Sequence, residues 1–349
     1  MILLSLPLFL LLLLVSPSPS EAKKKKSTER TWDDFSDEER AKTPFKGTVE
    51  RTMALRTHSI YAPYVDSDLQ NRWFDFGGSS IVNTNKHIRL TQEKSSQQGY
   101  LWSRLPVTGQ NFMIEVEFRV DGKGNSLFGD GFAIWLTKER TGFGPVFGSR
   151  DKWTGLGLFF DTYANSRHDY TFPIVMGMHN DGTKNYNVGR DGFNQEEKAA
   201  ICQSEFRRTE ITAKARITYV KNKFLQVDIQ AKNWDQWDHC FTIWGYEMIP
   251  GPYLGFSAHT GQISDNHDII SVSAHNVVYH EDPSSPSPNM PNRFKNAGGG
   301  EKSGSGFFTF LSWMAKILFL LVGIVVCLIL VKGYMEGQKK QKSKQTKKF

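Results

Sequence analysis

The chain has 349 residues, 39% of them hydrophobic and 23% charged, with three cysteines and a formal net charge of +7. Seven lysines and one glutamate after residue 331 give +6 and residues 1–26 give +3, which leaves −2 for residues 27–331. The basic balance belongs to the two ends, so no groove for nucleic acid is implied and that class of function is excluded.

Residues 2–15 are almost purely Leu, Ile, Phe and Val, too short a run to span a bilayer, and small residues follow at Ser20 and Ala22. Residues 1–22 are therefore expected to be a signal peptide. Residues 23–56, which open on a run of four lysines, are mixed in charge and poorly patterned. They are expected to form a loosely attached luminal N-terminal arm, to which the sequence assigns no function.

A folded domain is expected over residues 57–281. Between residues 111 and 120, Phe112, Ile114, Val116, Phe118 and Val120 alternate with Glu115, Glu117 and Arg119, the pattern of a half-buried strand. Residues 155–160 are apolar on both faces, as in a central strand covered on each side. Residues 211–219 alternate again, and after the turn Lys221-Asn222-Lys223 the residues Leu225, Val227 and Ile229 fall together, which predicts a hairpin. Shorter strands are expected at 241–244, 253–258 and 269–279. No long stretch shows a helical period, so the economical fold is all-β, two packed antiparallel sheets.

After Glu281 the composition shifts to Pro, Ser, Asn and Gly, a flexible stalk over 282–306. Residues 307–331 carry a single charge, Lys316, and as a helix they are long enough to cross a hydrocarbon core. The lysine-rich tail 332–349 is then cytosolic by the positive-inside rule. Cys327 falls in the expected span, whereas Cys202 and Cys240 fall in the luminal part, where oxidation is permitted. One disulfide, Cys202 to Cys240, is expected.

Acidic loops carry the chemistry. Asp161-x-Tyr163-x-Asn165 follows the central strand and offers two side chains and the Tyr163 carbonyl to one point, and Asp191, in Gly189-Arg190-Asp191-Gly192, could close the shell. Oxygen donors of this kind suit calcium, which takes six to eight of them at about 2.3–2.6 Å. The competing reading is that these are ordinary turn residues.

Four segments taken together, Phe128-Gly129-Asp130-Gly131-Phe132-Ala133-Ile134-Trp135, Gly144-Pro145-Val146-Phe147-Gly148-Ser149, Phe159-Phe160-Asp161-Thr162-Tyr163-Ala164-Asn165 and Thr260-Gly261-Gln262-Ile263-Ser264-Asp265-Asn266-His267-Asp268, resemble the leguminous-type (L-type) lectins of the animal early secretory pathway. The short stalk resembles the vesicular integral-membrane branch of that family. The resemblance implies a concanavalin-like antiparallel β-sandwich that binds high-mannose N-glycans through calcium. It implies calcium ligands at Asp161, Tyr163, Asn165 and Asp191, mannose contacts at Asp130, Asn165, Gly261, Gln262 and Ile263, and a secondary sugar contact at Ser96. The terminal Lys347, Lys348 and Phe349 resemble signals read by the COPI and COPII coats. The implied role is a cargo receptor or quality-control factor for high-mannose glycoproteins, with its lectin domain luminal, in the membranes of the endoplasmic reticulum, the intermediate compartment and the Golgi.

The chain departs from the family at Val188, where a histidine is usual, and Val188 cannot hydrogen-bond a hydroxyl or a carboxylate. His179 could replace that histidine if the 178–189 segment folds back. Two other functions compete. One is a glycan hydrolase, for which Glu115 and Glu117 are the available acids, though they read better as a solvated strand face. The other is a family member that keeps the fold and tail for trafficking but has lost its sugar site.

Overall fold

The computed structural model describes residues 36–192 and 200–282. In chain order the elements are α1 (Asp37–Ala41), β1 (Gly47–Ala54), β2 (Phe74–Gly78), β3 (Ile81–Asn83), β4 (His87–Thr91), β5 (Gln98–Pro106), β6 (Asn111–Asp121), β7 (Gly131–Thr137), β8 (Thr154–Asp161), β9 (Ile174–Asp181), β10 (Ala200–Gln203), β11 (Ala213–Val220), β12 (Phe224–Gln230), β13 (Asp238–Trp244), β14 (Tyr253–His259) and β15 (Asn266–Glu281). They form two antiparallel sheets. The back sheet runs β13-β12-β11-β6-β15-β4-β3, with β1 also on β15, and the front sheet runs β10-β9-β8-β7-β14-β5-β2.

The strands expected from alternation are present. In β6, Ile114, Val116, Phe118 and Val120 are buried while Arg119 is exposed. β11 and β12 form the expected hairpin, with Asn222 at φ +61° in its turn, a left-handed conformation that Asn tolerates. Between the sheets Phe118 of the back sheet meets Phe132 and Phe160 of the front sheet at ring distances of 4.9 and 5.1 Å.

The front sheet is apolar on its other face too. Trp102, Ala133, Trp135, Phe159 and Met176 stand there, covered by Val146, Phe147, Trp153 and Tyr186 from the loops after β7 and β9. This second cluster explains why β8 shows no alternation: its odd and even residues are buried on opposite sides. Ser257 Oγ accepts from Trp135 Nε1 at 2.8 Å and donates to the Phe147 carbonyl at 2.7 Å, pinning the covering loop to the sheet.

The arm expected over 23–56 is partly built into the sandwich. α1 opens on a capping box, in which Glu39 N donates to Ser36 Oγ at 3.2 Å and Ser36 N donates to Glu39 Oε2 at 2.8 Å. Phe45 stacks on Phe224 at 4.5 Å, and β1 then pairs with β15 from Gly47 to Ala54. The strand is almost wholly exposed, so its sequence carries no apolar alternation to betray it.

Cys202 and Cys240 form the expected disulfide, with Cα atoms 5.2 Å apart, and it ties edge strand β10 of the front sheet to edge strand β13 of the back sheet. The bridge closes a loop of 38 residues, so Cys202→Ser with Cys240→Ser should cost about 2–4 kcal/mol, read by denaturant unfolding. An unchanged midpoint would show that the bridge constrains nothing in the unfolded chain.

The leader, the stalk beyond Asp282, the apolar segment 307–331 and the tail with Lys347, Lys348 and Phe349 lie outside the described residues. Among the described residues no helix is long and apolar enough to cross a membrane.

Candidate functional site

Three adjacent front-sheet strands end at one place. Gly131 of β7 pairs with Asp161 on one side and with His259 on the other, so the ends of β8 and β14 flank Asp130. Thr162 fastens the first edge, since its backbone N and its Oγ1 donate to the Asp130 carbonyl at 3.0 and 3.1 Å. Asp130 N donates to the His259 carbonyl at 3.4 Å on the second.

The expected metal donors converge. Asp161 is 2% exposed and accepts from Tyr163 N at 3.0 Å. Burial pushes its carboxyl well above the usual carboxylate range, the Tyr163 N–H opposes this, and the charges of Asp191 and Asp130 add to the rise. Asp191 is fully buried at φ +51°, following the 3₁₀ turn Val188–Arg190. Its Oδ1 accepts from Asn165 N at 3.0 Å and from Asn165 Nδ2 at 2.7 Å, and its Oδ2 accepts from Ser166 N at 3.2 Å. The loops bearing Asn165 and Asp191, 26 residues apart, are thus brought into contact.

Among the described residues no lysine or arginine pairs with Asp161 or Asp191. Two buried carboxylates, Asp161 and Asp191, beside an amide and a backbone carbonyl, form an all-oxygen set that fits a hard divalent cation. No cluster of three or more His, Cys, Asp or Glu groups completes a cage among the described residues. The set therefore depends on Asn165 and on the Tyr163 carbonyl for its remaining oxygens.

The amide hydrogens of Asn165 face the buried Asp191 carboxylate, Nδ2 donating to Oδ1 at 2.7 Å. His168 belongs to the same group and had no signal in the sequence beyond lying three residues after Asn165. Its Nε2 is 2.7 Å from Asp191 Oδ2, and its ring stacks on Tyr170 at 4.8 Å.

The expected sugar contacts gather around Asp130. Gly261 passes so close that a Cβ there would lie 3.3 and 3.4 Å from the two Asp130 carboxylate oxygens, so glycine is what lets the backbone approach. Ser96 N donates to the Gly261 carbonyl at 3.0 Å, and Thr260 Oγ1 donates to the Lys94 carbonyl at 2.6 Å, lacing the 94–97 loop to this one. Ile263 lies against Gly129, and Gln262 is exposed. His259 also stands at the site, its Nδ1 3.0 Å from Asp130 Oδ2, which the sequence signalled only by adjacency to Thr260-Gly261.

His179 does not reach the site. It belongs to β9, paired with Leu156 at the far end of β8, and its Nδ1 is 3.2 Å from the Tyr246 hydroxyl. The segment expected to fold back as a loop from residue 178 is strand as far as Asp181, and the pairing of Leu156 with His179 carries that ring away from Asp161. Val188 is 44% exposed. Glu115 and Glu117 lie on the outer face of the back sheet. Arg51 and Arg216 pair with Glu115 at 2.5 and 2.7 Å, and Ser271 Oγ donates to Glu117 at 3.0 Å.

The fold and this end of the front sheet define a sugar-binding β-sandwich of the lectin class. The chain belongs to the legume-like lectin family, whose model matches residues 51–283, a family of carbohydrate-binding proteins rather than enzymes. It is 33% identical over 310 residues to the vesicular integral-membrane protein VIP36 of Homo sapiens, covering 82% of this chain and 83% of that one. It is 32% identical over 300 residues to an L-type lectin-like domain-containing protein of Schizosaccharomyces pombe, covering 85% of this chain and 93% of that protein. The exoplasmic/lumenal domain of VIP36 in its Ca2+/Man2-bound form superposes with a TM-score of 0.61 at 34% identity, covering 66% of this chain and 92% of that domain.

Proposed function

We propose that this chain is a calcium-dependent lectin for high-mannose N-glycans that acts as a membrane-anchored cargo receptor between the endoplasmic reticulum and the Golgi. The observation that carries the reading is the convergence of Asp130, Asp161, Asn165, Asp191 and Gly261 at one end of the front sheet, in a chain similar to a protein crystallised with Ca2+ and Man2. Calcium, when bound, supplies positive charge that neutralises Asp161 and Asp191 and fixes the Asn165 loop. Asp161, Asp191, Asn165 and the Tyr163 carbonyl would hold it.

The remaining work is done by the chain's own groups. The Asp130 carboxylate accepts from neighbouring sugar hydroxyls, and the backbone at Gly261, Gln262 and Ile263 closes over the ring with Ser96 at its margin. Each such hydrogen bond contributes about 0.5–1.5 kcal/mol net, so one shallow site binds weakly and retention of cargo requires several glycans or clustered receptors. The apolar segment 307–331 would anchor the chain. The tail with Lys347, Lys348 and Phe349 would engage the COPI and COPII coats.

A glycan array probed with the full-length protein in detergent, with calcium and again with chelator, tests the reading. Mannose-rich glycans should be retained with calcium and released by chelator, and retention unchanged by chelator would defeat it. A second reading rests on Val188, which is exposed and whose side chain has no polar atom to offer a sugar. Calcium binding without retention of any mannose-rich glycan would favour a trafficking factor that has lost its sugar site.

A further inference from the structure

We infer that His259 is a positioning residue of the sugar site, holding the Asp130 carboxylate in the pose that receives hexose hydroxyls; this rests on the mannose-binding reading above. The two residues are bound by their backbones, since β14 ends at His259 and Asp130 N donates to its carbonyl. Their side chains meet as well, with Nδ1 of the ring 3.0 Å from Asp130 Oδ2. Gly261 closes on the same carboxylate from another direction, near both of its oxygens. Asp130 is therefore bracketed by an imidazole and a glycine backbone.

The pair is partly open to solvent. The side chains of His259 and Asp130 are 30% and 29% exposed, accessible enough to meet a ligand and too enclosed to rotate at no cost. At 3.0 Å an unprotonated Nδ1 would set its lone pair against those of the carboxylate, so the contact requires Nδ1 to carry a proton. Among the described residues His259 is the one side chain that pairs with the Asp130 carboxylate. A carboxylate already oriented loses less freedom when sugar binds, which is why removing the ring should weaken sugar and leave calcium alone.

The full-length protein in detergent micelles, saturated with calcium, provides the test, with mannobiose titrated calorimetrically into wild type, His259→Ala and His259→Asn. The alanine variant should bind calcium alone as the wild type does and should lose about tenfold in mannobiose affinity. Asparagine, whose amide nitrogen falls where Nδ1 lies, should recover most of that loss, which a purely structural role for the ring would not produce. Selective 15N labelling of histidine should show the His259 ring protonated at Nδ1 before any sugar is added. Equal mannobiose affinity in wild type and His259→Ala, or an Nε2–H tautomer, overturns the inference while leaving the mannose reading intact. A wild type that binds calcium but no mannobiose overturns the mannose reading itself, and the inference with it.

Discussion

In chelator, Asp161→Asn should unfold at the same temperature as the wild type or a higher one, and added calcium should raise the transition of the wild type only. The carboxylate of Asp161 is 2% exposed and stands in the field of Asp191 and Asp130, so its ionised form is penalised by burial and by like charge. Asparagine has nearly the same shape, keeps an oxygen to accept from Tyr163 N, and carries no charge to desolvate. The metal-free fold therefore loses nothing with the substitution and sheds a repulsion. Calcium reverses the order, because a ligand that binds the native state alone stabilises it by about 2.7 kcal/mol at a hundredfold excess over its Kd. The variant forgoes that gain together with one charge of the donor set, and its glycan binding should fall to background. Calorimetry at matched calcium and chelator concentrations reads both arms, and an equal calcium shift in the two proteins would place the cation elsewhere.

Arg207→Met should cost about 3–5 kcal/mol of stability, the loss expected when one partner of a buried ion pair is removed. The Arg207 guanidinium grips the fully buried Asp265 with two bonds, Nε to Oδ2 at 2.7 Å and Nη2 to Oδ1 at 2.8 Å. Burial pushes the Asp265 carboxyl up and the bond from Arg207 holds it down, so the methionine variant leaves an uncompensated carboxyl in the interior. Nη2 also donates to the Gly124 carbonyl at 2.9 Å, and the guanidinium lies 3.8 Å from the centre of the Phe128 ring. Arg207 thus fastens the loop that leads into Asp130 to the loop that follows Ile263. Arg207→Lys should rescue little, because an ammonium has neither the planar fork nor the flat face that stacks on Phe128. Combining Arg207→Met with Asp265→Asn should recover part of the loss, since the orphaned charge is then gone. Denaturant unfolding gives the energies, and a single variant within about 0.5 kcal/mol of wild type would show that the pair contributes no more than a surface contact.

Much of this molecule was written locally. Alternation of residue type gave β6 and the β11–β12 hairpin, because a strand with one buried face must repeat every second residue. The disulfide followed from compartment, and the Asp161-x-Tyr163-x-Asn165 spacing brought two side-chain oxygens and a carbonyl to one loop. β1 escaped notice because a strand exposed on both faces has no pattern to show. The approach of Asp191 to Asn165, the seating of His168 and His259, and the removal of His179 to the far end of β8 were decided by sheet register and by the order in which β8, β7 and β14 lie side by side. Local periodicity reports which face of a segment is wet. It carries no record of which distant segment will lie alongside, and one step of register changes every neighbour a side chain meets.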